Sequence, residues 1–167
     1  IYNLFKRQGM TQAMRVITAK AVFDGVNLLS NKAVLIADGV IIDLIDKDKV
    51  YDATQIEDFG NSVISAGLID LQLNGNGGVL FNDSISFASL ETMHQTNLRF
   101  GTTSYLPTLI TSDLNDVRTA LEVTKEWFKQ YGNTRGVIGL HLEGPFLSKE
   151  KRGIHPLEFV TLPTDAM

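Results

Sequence analysis

His141 and Glu143 stand two residues apart, and His155 follows in Lys151-Arg152-Gly153-Ile154-His155-Pro156, so a carboxylate lies between imidazoles in a stretch punctuated by Gly144, Pro145, Gly153 and Pro156. Imidazole and carboxylate are donors that hold a divalent ion such as Zn²⁺, and an ion so held acidifies a water for hydrolysis. A single Glu is not a metal motif, and the residues alone equally admit a loop carboxylate that caps a helix or pairs with Lys149 or Lys151. His141 should point the same way as Glu143 if the strand continues, either lining a pocket and supporting a ligand from behind or packing as a satisfied interior histidine. By itself His155 reads as an exposed loop histidine, and His94, inside a helical stretch, as a structural one.

Gln72 and Asn74 form a second pair at alternate positions, in Leu71-Gln72-Leu73-Asn74-Gly75. Alternation aims both at one face of a strand, where a His-x-His pair would hold a metal. Neutral amides are much poorer Zn²⁺ ligands than imidazoles, so this pair is not expected to hold an ion itself. Asn74-Gly75-Asn76-Gly77-Gly78 lacks the spacing of a dinucleotide or nucleotide-phosphate loop, and reads as a tight turn that brings backbone near a pocket. The run Lys149, Lys151 and Arg152 could attract an anion but is too short to set it apart from a solvated loop.

The elements that must position these groups follow two rhythms. From Met14 to Val50 short β-type runs alternate with turns, and Asp38-Gly39 between Ala33–Ala37 and Val40–Ile45 is a two-residue hairpin signal. This region is expected to form part of a small β-sandwich with too little apolar surface to close a core alone. After Gly60 the order becomes strand, helix, strand, helix, strand, which indicates βα units on a parallel sheet. The first strand lies within Val63 to Leu73. A helix runs from Ser86, its N-cap, to Phe100, with Gly101 beyond it. A second strand spans Thr102 to Leu106 and stops at Pro107. Ser112 caps the next helix, which presents Leu114, Val117, Leu121 and Phe128 on one face and ends at Gly132. Val137 to Leu140 forms the third strand. The short apolar run before His141 is bounded by Gly136 and Gly139, and chemistry in such folds gathers where strands stop.

The chain has 167 residues, 44% hydrophobic and 20% charged, which suits a globular protein with one ordinary domain's worth of core. A complete (β/α)8 barrel takes about 250 residues, more than are present. A net charge of −4 and no basic cluster offer nothing to nucleic acid or an anionic membrane. The absence of cysteine rules out disulfides and thiolate ligands and suits a cytoplasmic protein. No apolar run approaches the roughly 20 residues of a membrane span, and no signal-peptide pattern occurs.

Three segments, Ala66-Gly67-Leu68-Ile69-Asp70-Leu71-Gln72-Leu73-Asn74-Gly75, Tyr105-Leu106-Pro107-Thr108-Leu109-Ile110-Thr111 and His141-Leu142-Glu143-Gly144-Pro145-Phe146, together resemble the N-acetylglucosamine-6-phosphate deacetylase family of the amidohydrolase superfamily. The likeness runs from about Met14 to Met167 and implies an α/β fold: the first three units of a metal-dependent (β/α)8 barrel in residues 62–167, preceded by part of a β-sandwich in 14–61. Residues 1–13 match nothing in the family and are expected to be an extension. The resemblance implies that Glu143 binds a single divalent metal, expected to be Zn²⁺, and that His155 and the backbone of Ile154 contact the substrate. Gln72 and Asn74 match the family's single-metal branch. It implies hydrolysis of the 2-acetamido group of N-acetylglucosamine 6-phosphate, a homodimer, and a catalytic aspartate and further metal-binding histidines that match no residue here. The 167 residues alone are therefore expected to be inactive. Other readings are an N-acetylgalactosamine-6-phosphate deacetylase, a cyclic-amide hydrolase, against which Gln72 and Asn74 count, and a non-catalytic binding or assembly module.

Overall fold

The computed structural model describes residues 14–50 and 55–164, so the expected extension over residues 1–13 lies outside the described residues. The chain divides into two units between Ala66 and Gly67. The first unit contains β1 (Arg15–Thr18), β2 (Ala21–Phe23), β3 (Leu28–Ser30), β4 (Lys32–Ala37), β5 (Val40–Asp46), β6 (Gln55–Asp58) and β7 (Val63–Ser65). One sheet has the order β5-β4-β1-β6 and a second the order β3-β2-β7. The expected hairpin joins β4 to β5: Ala37 pairs with Val40, and Asp38 and Gly39 both take positive φ, at 53° and 75°, as a type I′ turn requires. Ala33, Val34 and Leu35 are consecutive and all buried, so both faces of β4 are covered. The core itself is small, built from Val16, Ala33 and Leu35 with Ile42, Ile45 and Val50 against it. Val40, Ile41 and Ile56 stay exposed.

The second unit contains β8 (Leu68–Leu73), β9 (Gly75–Asn76), β10 (Val79–Leu80), α1 (Phe87–Arg99), β11 (Thr102–Ile110), α2 (Leu114–Tyr131), β12 (Gly136–Val137) and β13 (His141–Glu143). This is a mixed α/β arrangement in which β11 is central: β8 runs parallel on one side, and β12 and β13 run parallel on the other. Phe81, Leu90, Met93, Tyr105, Leu109, Ala120, Trp127 and Val137 form its core. The two polar tips buried there are both satisfied, as they must be in an apolar interior. The Tyr105 hydroxyl donates to Leu90 O at 3.0 Å, with burial raising its pKa, and Trp127 Nε1 donates to Arg135 O at 2.9 Å. His94 is buried edge-on to Trp127, with ring centroids 5.9 Å apart, and burial lowers its pKa, so it serves as a neutral packing residue.

Four local expectations need correction. β11 does not stop at Pro107 but continues to Ile110. The register to β8 shifts between Tyr105 and Pro107, and at such an irregularity the missing N–H removes no ladder bond. The cap of α2 is Asp113, whose carboxylate accepts from the N–H groups of Asn115 and Asp116; Ser112 instead bonds the Asp116 carboxylate. The inward face of α2 is carried by Ala120, Thr124 and Trp127, with Val117 and Phe128 beside them, whereas Leu114 and Leu121 are about half exposed. The third strand is two short pieces, because residues 138–140 leave the ladder and His141–Glu143 rejoin it. By contrast, Ser86 caps α1 as its spacing predicts, accepting from Ser89 N at 3.1 Å.

Candidate functional site

Alternation along three adjacent strands sorts their side chains onto two faces. Leu73, Leu109 and Leu140 pack into the helix-covered core, which directs Gln72, Thr108, His141 and Glu143 to the opposite face. Register completes the grouping: Thr108 lies opposite His141, and Ile110 opposite Glu143. β8 and β13 are not neighbours but flank β11, so their backbones lie roughly 10 Å apart at the usual strand spacing. Two long side chains span that gap. Gln72 Nε2 donates to Glu143 Oε2 at 2.9 Å.

The other carboxylate oxygen of Glu143 faces His155, with Nε2 to Oε1 at 3.5 Å. His155 is held from behind, its Nδ1 lying 2.9 Å from Thr111 Oγ1, and the same hydroxyl donates to Glu143 O at 3.2 Å. His141 Nδ1 lies 3.1 Å from Thr108 Oγ1. The structure thus brings together Glu143, Gln72 and His155, with His141 two residues behind Glu143 on the same strand. Asn74 is not among the partners of Glu143; its carbonyl accepts from Phe81 N at 2.8 Å. The side chain of Ile154 is 88% exposed, while the next residue turns inward. Lys149 and Lys151 lie on the surface.

Sequence reasoning missed both threonines. Thr108 is fully buried and Thr111 is 3% exposed, and each meets a histidine far along the chain. A Thr-x-x-Thr at a strand exit is the sole local sign, and it is weak. Gln72 was legible as an amide on this face of the strand, but not as a donor to Glu143.

As a metal site the group is partial. Glu143 supplies a carboxylate and His155 an imidazole nitrogen, whereas a catalytic zinc takes three protein ligands and a water. Among the described residues no cluster of three or more His, Cys, Asp or Glu could hold an ion. The donors present would fit only one side of such a site.

A chain of 38% identity from Haemophilus influenzae over 146 residues, 87% of this chain and 38% of its own length, is an N-acetylglucosamine-6-phosphate deacetylase. This chain is a homologue of the N-acetylglucosamine-6-phosphate deacetylases. An N-acetylgalactosamine-6-phosphate deacetylase from a Shewanella species is 37% identical over 83% of this chain and 35% of its own length. Among solved structures, the N-acetylglucosamine-6-phosphate deacetylase of Pasteurella multocida superposes with a TM-score of 0.85 at 39% identity, covering 92% of this chain and 40% of that one. The deacetylase of Thermotoga maritima, at 20% identity and a TM-score of 0.73 over 90% of this chain and 38% of that one, shares the fold. No protein-family model matches the chain. The chain spans less than half the length of these deacetylases.

Proposed function

We propose that these residues form the first three units of a metal-dependent (β/α)8 barrel with part of its accompanying β-sandwich. On this reading the whole protein hydrolyses the 2-acetamido group of N-acetylglucosamine 6-phosphate to glucosamine 6-phosphate and acetate. The observation that carries the proposal is the convergence of Gln72, Glu143 and His155 over β11, at the C-terminal ends of parallel strands, where barrel enzymes hold their chemistry. The family name supplies the substrate class.

Glu143 would hold one divalent ion, Zn²⁺ by preference, and when bound the ion supplies an acidified water and polarises the amide carbonyl. Gln72 fixes the carboxylate by donating to Oε2, leaving Oε1 directed toward His155. His155 and the backbone of Ile154 would meet the sugar phosphate. His141 and Asn74 would support or line the pocket around Glu143. No general acid is assigned among the described residues. With Glu143 as the one ligand assigned to the ion, the site is short of ligands, so the 167 residues by themselves would not turn over. A homodimer is carried over from the family resemblance, and a cytoplasmic location from the cysteine-free composition. The 4-epimeric substrate is the second reading, favoured by the 37% identity to the galactosamine enzyme.

The test is acetate release from N-acetylglucosamine 6-phosphate and from its galactosamine epimer, by this chain and by a protein carrying it at the length of its relatives, each supplied with Zn²⁺. Release by the longer protein alone, faster on the glucosamine substrate, is expected. No release from either substrate by the longer protein would refute the proposal.

A further inference from the structure

The Thr111 hydroxyl has one proton and two acceptors within reach, Glu143 O at 3.2 Å and His155 Nδ1 at 2.9 Å. Glu143 O is a backbone carbonyl and can only accept. With the hydroxyl's proton on that carbonyl, the hydroxyl oxygen accepts from His155, Nδ1 carries a proton, and Nε2 is the nitrogen directed at Glu143 Oε1. We infer that Thr111 is a positioning residue that fixes the protonated nitrogen and the ring orientation of His155, so that Nε2 alone faces whatever binds beside Glu143. The inference rests on the proposed function only in placing Glu143 at the reactive centre.

Two further observations support it. Thr111 is 3% exposed, so water does not compete for its hydroxyl. Gly144 has φ of 102°, and a Cβ there would lie 2.0 Å from Thr111 Oγ1; the glycine after Glu143 leaves room for the hydroxyl to sit against the carboxylate's own backbone.

The experiment is long-range proton–nitrogen correlation NMR on the ¹⁵N-labelled 167-residue chain at about pH 9, above the ordinary imidazole range. Its three histidines are assigned by single His→Gln replacements. In the unaltered chain the Nδ1 of His155 should show the protonated, pyrrole-type shift. Thr111→Ser should keep that shift, and Thr111→Val should move Nδ1 to the unprotonated, pyridine-type position. Gly144→Ala, which pushes on the hydroxyl from the other side, should do the same as Thr111→Val. An unprotonated Nδ1 in the unaltered chain overturns the inference even if a variant fails to fold, and so does an unchanged shift in Thr111→Val. Neither readout involves substrate, so failure here is distinct from a failure to release acetate.

Discussion

The parallel strands of the second unit present two faces built from alternate residues of one sequence, and the two are made in opposite ways. Toward the helices, Leu73, Tyr105, Leu109 and Val137 meet Leu90, Met93 and Trp127 in close apolar packing; this face is held by area removed from water. Toward the other side, Gln72, Thr108, His141 and Glu143 meet mainly through hydrogen bonds between strands and to the loop at His155. Such bonds contribute modestly to stability but fix direction. One residue's shift in register would exchange the two faces, so the packing on the helical side is what places the chemistry on the other.

Substitutions should separate the faces. The largest expected effect is Trp127→Ala, which removes a fully buried indole and its bond to Arg135 O; about 3–5 kcal/mol of stability should be lost, read by denaturant unfolding. Glu143→Gln should do the reverse, lowering acetate release in the full-length protein by more than about 100-fold, beyond the effect of an outer-sphere partner, with stability within about 0.5 kcal/mol. If Glu143→Gln unfolded the unit as Trp127→Ala does, the division between the faces would fail. Gln72→Ala should cost about 10–100-fold in release, again without a matching loss of stability.

A smaller effect sharpens the comparison from the first unit, where charge rather than chemistry is at stake. Hydrogen bonds from Lys32 and then Lys49 hold Asp46 at a pKa of about 2. Because the folded value lies below the unfolded one, the contribution is complete above about pH 4 and fades as pH falls toward 2. In Asp46→Asn, unfolding between those pH values should be less steep, as followed by circular dichroism. Equal acid limbs in both proteins would remove any role for the pair.

The placing of Gln72 and Glu143 on one face was legible in the sequence because strand periodicity is local, whereas Asn74 lies beyond the end of β8. Ser86 and the Asp38-Gly39 turn were legible for the same reason. What escaped depends on partners far away in the chain. Pro107 is tolerated in β11 because the ladder to β8 shifts beside it, which no local rule reveals. Ser112 and Asp113 are both capable caps by residue type, and the structure uses Asp113 while Ser112 bonds the Asp116 carboxylate. The hydroxyls of Thr108 and Thr111 find histidines 33 and 44 residues on, and a threonine near a strand end carries no mark of that.

The central claim is that Glu143 holds an ion on the polar face, and metal content tests it most directly. A protein carrying this chain at the length of its relatives would be purified with and without Glu143→Gln, dialysed against metal-free buffer, and measured by plasma mass spectrometry. About one divalent ion per chain in the unaltered protein, falling well below that in Glu143→Gln, is the predicted result. Equal retention of the ion by both proteins would contradict the account.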